Sequence, residues 1–89
     1  MSDVVATMKI MPESPDVDLE ALKADIQAAM PDDAEFHKID EEPIAFGLTA
    51  LNLMFIIEDG EGGTESTEEA MGKLNNVASV EITDTRRLM

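Results

Sequence analysis

The segment from Ala45 to Ile57, AFGLTALNLMFII, constrains the fold more than any other part of the chain. Extended, it carries Leu48, Met54 and Ile56 on one face and Leu51, Leu53, Phe55 and Ile57 on the other. A strand with large apolar side chains on both faces belongs inside a sheet, so this one is expected to be central. It is too short to span a bilayer, and Asn52 interrupts it, so membrane insertion is not expected.

The rest of the chain reads as partners for that strand. Residues Val4 to Met11, VVATMKIM, alternate: Val4, Ala6, Met8 and Ile10 share one side, Thr7 and Lys9 the other, as in a half-buried strand. The connector PESPDVD follows, in which Asp16 or Asp18 can accept the free amides at the start of a helix. In DLEALKADIQAAM, Leu19, Leu22, Ile26 and Met30 recur at helical spacing, and Pro31 ends the helix. A second strand is expected near Glu35 to Asp40, with Phe36 and Ile39 as its apolar anchors. Beyond the EDGEGG turn, TESTEEAMGKLNN predicts a short helix. Ser66 and Glu69 have the spacing of a capping box, Met71 and Leu74 face inward, and Gly72 is a weak point in the interior. In VASVEITDT, Ala78, Val80 and Ile82 alternate with Ser79, Glu81 and Thr83, which predicts a fourth strand.

Strand, helix, strand, strand, helix, strand, with two right-handed crossovers, gives an antiparallel four-stranded sheet with both helices on one face. That is the α+β, ferredoxin-like βαββαβ sandwich. A chain of 89 residues supplies one core, so residues 1–89 are expected to form a single domain without a deep substrate pocket. The chain has no cysteine, which excludes disulfides and thiolate metal sites, and no signal-peptide pattern opens it, so a cytoplasmic location is expected. The net charge of -14 repels phosphate backbones and anionic lipid and favours a basic or cation-holding partner. The same charge equally serves solubility, or life in a salty cytoplasm that screens self-repulsion.

Because this fold hosts many activities, individual residues must decide among them. RNA recognition would need stacked aromatics amid basic residues, and Phe36, Phe46 and Phe55 have no such surroundings. Gly60, Gly62 and Gly63 precede a helix as in a phosphate cradle. No lysine follows them, however, and Glu58, Asp59, Glu61 and Glu65 crowd the amides, so a flexible turn accounts for them better. His37, the one histidine, has neither cysteine partners nor an evident nucleophile beside it and fits a partly exposed strand position. Asp40, Glu41 and Glu42 would point in alternating directions on extended chain, which suits solvated charge rather than a cation site.

Two features resist so plain an account. In EEPIAFG, Pro43 stiffens the chain and Gly47 frees the backbone beside Phe46, so an aromatic can be held at a sheet end. An ordinary core phenylalanine fits the same pattern. At the other stretch, RRLM places Arg86 and Arg87, two of only six lysines and arginines, directly after the last strand. A solubilising tail is the competing explanation.

At KIDEEPIAFGLTALN and ITDTRRLM the sequence resembles the archaeal translation elongation factor 1-beta family, and VVATMKIMPESPDVDLEAL resembles that family's opening segment. The resemblance implies a guanine-nucleotide exchange factor, not an enzyme with covalent chemistry, acting on elongation factor 1-alpha, the GTPase that carries aminoacyl-tRNA. It would bind the GDP-bound and nucleotide-free forms. In the eukaryotic relatives, a lysine next to the C-terminus enters the nucleotide site and disturbs its magnesium ion. Arg87 stands nearest that lysine when the following Leu88 is aligned, and Arg86 is the other candidate. Phe46 matches the family phenylalanine, which inserts into an apolar pocket of the GTPase and pulls on structure near the phosphate loop. Pro43, Ile44, Ala45, Gly47, Leu88 and Met89 complete the two contact segments. The resemblance implies no cofactor or metal of its own, no direct nucleic-acid partner, and a monomer. The rival expectation from a different class is a small ligand-sensing regulatory domain of ferredoxin-like fold; an acidic cation-binding protein is a third.

Overall fold

The computed structural model describes residues 3–32, 34–58 and 63–87. Their order is β1 (Asp3–Pro12), α1 (Leu19–Ala28), β2 (Ala34–Pro43), a short 3-10 turn (Ala45–Gly47), β3 (Thr49–Glu58), α2 (Gly63–Gly72) and β4 (Val77–Arg87). The strands lie in the order β2-β3-β1-β4, and every neighbouring pair is antiparallel. Thus β1 and β2 run parallel with β3 between them, and β3 and β4 run parallel with β1 between them. This is the ferredoxin-like α+β fold expected from the pattern of elements.

The core lies between the sheet and the helices. Ala6, Met8 and Ile10 of β1 and Leu51, Leu53, Phe55 and Ile57 of β3 form one buried cluster with Leu22 and Ile26 of α1 and Met71 of α2. Both helices therefore cover the same sheet face. The other face carries half-buried Val5, Thr7, Met54 and Ile56 in adjacent rows. Helix α1 starts where Asp18 Oδ1 accepts from the amides of Glu20 (3.1 Å) and Ala21 (3.3 Å), which selects Asp18 over Asp16 as the cap.

Several local expectations are corrected. The central strand begins at Thr49 rather than Ala45; Ala45–Gly47 form a turn, and Leu48 closes it instead of joining a sheet face. Helix α2 begins at Gly63, so Ser66 sits inside it and cannot be its cap, while Gly72 is its last residue and not an interior one. The second strand continues through Asp40–Glu42 to Pro43, where an edge position tolerates the missing N–H. Strand β4 reaches Arg87, so the paired arginines belong to the sheet and not to a tail. The turn expected at residues 59–62, with Gly60 and Gly62, falls outside the described residues, as do Leu88 and Met89.

Bulges explain the remaining differences. Phe36 and Ile39 have opposite parity in a regular strand, yet both pack against the core, because the pairing skips between Phe36 and Lys38 and leaves His37 as the extra, exposed residue. In β4 the register shifts twice, at Ala78 and at Thr83. Ala78 is therefore exposed and Val77 takes its place against the core with Val80 and Ile82.

Candidate partner-binding surface

Phe46 is not a core residue. It is 93% exposed, and among the described residues it is the only exposed large hydrophobic. Its position follows from the turn that joins β2 to β3. Pro43 pairs with Thr49 as the last row of the ladder. Beyond it, the Ile44 amide donates to the Leu48 carbonyl (2.8 Å) and the Leu48 amide to the Ala45 carbonyl (3.3 Å). The two residues inside that ring, Phe46 (φ 63°, ψ 29°) and Gly47 (φ 78°), both have positive φ. Such a turn matches the twist of a hairpin and normally selects Asn-Gly. Gly47 meets its demand; Phe46 does not, since its Cβ crowds the carbonyl, at a cost of roughly 1–2 kcal/mol. A strained aromatic standing in water is unfavourable for the isolated molecule, and such residues concentrate at sites of recognition.

The three carboxylates before the turn are each engaged separately. Glu41 Oε2 accepts from Lys23 Nζ (2.6 Å) on the helical side, and that lysine also meets Glu20 (3.2 Å). Glu42 Oε1 accepts from Asn52 Nδ2 (2.8 Å), and Asp40 faces Lys38 (3.4 Å). Their divergence is what extended chain dictates. Mainly through Glu41, and then Glu20, the ammonium of Lys23 is held above its ordinary pKa.

The arginines occupy the other end of the sheet. Arg86 pairs with Val5 and Arg87 with Val4, in the rows that also contain Ile56 and Ile57. Consecutive strand residues project to opposite faces, so Arg86 lies on the open face and Arg87 on the helical side. Arg86 Nε donates to Asp84 Oδ2 (2.9 Å), a partner that sequence spacing did not single out although it sits two residues away on the same face. Arg87 is engaged as well.

Ile57, in the Arg87 row, stands eight residue steps along β3 from Thr49 at the base of the Phe46 turn. At about 3.4 Å per residue this is roughly 27 Å, to which the turn adds its own height. The sequence-predicted residues therefore divide into two surfaces at opposite ends of a stiff sheet. Pro43, Ile44, Ala45, Phe46 and Gly47 form one, and Arg86 and Arg87 belong to the other. No single pocket collects them. Among the described residues no helix is long and apolar enough to cross a membrane.

Comparison with known proteins gives this geometry a context. Residues 5–88 match the EF-1 guanine nucleotide exchange domain. The chain is 86% identical to an elongation factor 1-beta of Methanobrevibacter smithii and 63% identical to one of Methanothermobacter thermautotrophicus, in both cases over 100% of each chain. An elongation factor 1-beta of Halobacterium salinarum is 48% identical over 99% of this chain and 100% of its own. Among solved structures, the ACT domain from a GTP pyrophosphokinase of Chlorobium tepidum superimposes with a TM-score of 0.65, covering 91% of this chain and 99% of that one. At 20% identity, this last likeness speaks for the fold alone.

Proposed function

Because the chain belongs to the family of the EF-1 guanine nucleotide exchange domain, we propose that it promotes exchange of GDP for GTP on elongation factor 1-alpha by touching that GTPase at two separate places. The observation that carries this reading is the exposed Phe46 on its strained turn, at the far end of the sheet from Arg86 and Arg87.

At one end, the Phe46 ring enters an apolar pocket of the GTPase. Burying such a ring contributes about 1.5–3 kcal/mol, and the turn holds it ready before contact, so little ordering is needed on binding. At the other end, an arginine reaches the nucleotide's magnesium ion. A cation there competes with the metal for the same oxygens, and loss of the metal removes the charge bridge between GDP and the GTPase. At about 4 Å and an effective dielectric near 20, two unit charges interact by roughly 4 kcal/mol, so one side chain is enough.

The separation of the two ends refines the role of Phe46. Metal and phosphate loop lie together in a GTPase, so a ring roughly 27 Å from the arginines cannot act beside that loop while an arginine occupies the metal site. In this reading Phe46 is a distant anchor that orients the scaffold. Arg87 is the displacing residue, and Arg86, tied to Asp84 on the opposite face, assists through its charge. The factor binds the nucleotide-free GTPase best, and incoming nucleotide releases it, so substoichiometric amounts act repeatedly.

The test is release of fluorescent GDP from elongation factor 1-alpha into excess unlabelled nucleotide, with the protein at a small fraction of the GTPase concentration. The wild-type protein accelerates release through many turnovers, and Phe46→Ala requires far more protein for the same effect. Equal release with and without the wild-type protein ends the proposal.

A further inference from the structure

Gly47, directly after Phe46, faces another loop. A Cβ placed on Gly47 would stand 3.8 Å from Pro15 Cβ, in ordinary contact, so the proline ring of the β1–α1 connection stands beside the tip of the β2–β3 hairpin about one methyl group away. This connection is itself well fixed. The Val17 amide donates to the Ser14 carbonyl (3.3 Å), closing a four-residue turn with Pro15 at its first central position, where its locked φ is favourable. Ser14 Oγ also accepts from the Asp16 amide (3.3 Å). On one side the Glu13 amide donates to the Asn76 carbonyl (2.8 Å), joining the turn to the α2–β4 connection. On the other, Val17 packs on the core and Asp18 caps α1.

We infer that Pro15 is a positioning residue for Phe46, its turn serving as a wall that limits the swing of the hairpin tip toward the helices. The inference rests on the anchoring role of Phe46 proposed above. The hydrogen bonds of the hairpin set the shape of the turn, but they do not fix its tilt relative to the sheet; a rigid neighbour does. Pro15 is exposed and outside the core, so packing of the interior does not require it. A tip free to tilt must be ordered again each time the ring is buried, and that ordering weakens binding without touching the magnesium chemistry.

The experiment measures exchange on elongation factor 1-alpha for wild type, Pro15→Gly, Phe46→Ala and the double variant, with backbone amide order parameters for wild type and Pro15→Gly. Pro15→Gly is expected to raise the half-saturating concentration roughly two- to tenfold at unchanged limiting rate. It should lower the order parameters of Phe46 and Gly47 but not of Arg86, and have no further effect once Phe46 is alanine. Unchanged half-saturation in Pro15→Gly alongside an impaired Phe46→Ala overturns the positioning role and leaves the anchor standing. So does an equal effect of Pro15→Gly in both backgrounds. Phe46→Ala behaving as wild type overturns both.

Discussion

A phenylalanine at φ 63° should be a net cost to the domain that carries it. Replacing it with glycine removes the left-handed penalty of roughly 1–2 kcal/mol, offset in part by the greater freedom of glycine in the unfolded chain. Phe46→Gly is therefore expected to raise unfolding stability by up to about 1 kcal/mol in urea denaturation while weakening exchange. Phe46→Ala keeps a Cβ at the strained position and should fold with near wild-type stability while losing the same activity. A Phe46→Gly protein less stable than Phe46→Ala would show that the ring supports the fold. Gly47 was legible in the sequence as a residue freeing the backbone, because positive φ selects glycine. The exposure of Phe46 was not, since the same letters suit a buried ring and only the tertiary arrangement decides.

Strand and helix identities were written in local periodicity, which is why β1, α1 and the strand character of β3 read correctly from a few residues each. A bulge adds one residue and inverts the parity of everything after it, and no local pattern announces it. Phe36 and Ile39, three apart in a strand, were the one hint, and Ala78 was misassigned for want of another. Two predictions belong to these elements. Thr67 is fully buried in α2, and among the described residues its Oγ1 has no hydrogen-bond partner. Thr67→Val keeps its shape without the desolvated hydroxyl and should be neutral or stabilising by about 1 kcal/mol in thermal melts. Lys23 links α1 to β2 through Glu41, and its pKa is raised in the folded protein. A raised pKa means that the contribution is complete below the ordinary lysine value and disappears as pH climbs through the folded one. The stability difference between wild type and Lys23→Met should thus be constant through neutral pH and vanish in strongly alkaline buffer.

The whole molecule is an acidic, four-stranded antiparallel sheet covered by two helices, with the proposed contact segments at opposite ends. Its net charge of -14 should speed encounter with a basic surface, so the apparent second-order rate of exchange is expected to fall steadily with added salt while the limiting rate changes little. The α+β topology was readable at this scale from element order alone. The distance between the two proposed contact segments was not, because it depends on which strand ends they follow: the Phe46 turn leaves β2 at Pro43, and the arginines close β4 beside the start of β1. The most direct test of the account is GDP release from magnesium-loaded elongation factor 1-alpha across a magnesium titration, comparing wild type with Arg86→Ala/Arg87→Ala. The account predicts that wild type accelerates release in magnesium, adds little once the metal is chelated, and loses potency as magnesium rises, whereas the double variant still binds the GTPase but accelerates nothing. A double variant that matches wild type at every magnesium concentration would contradict it.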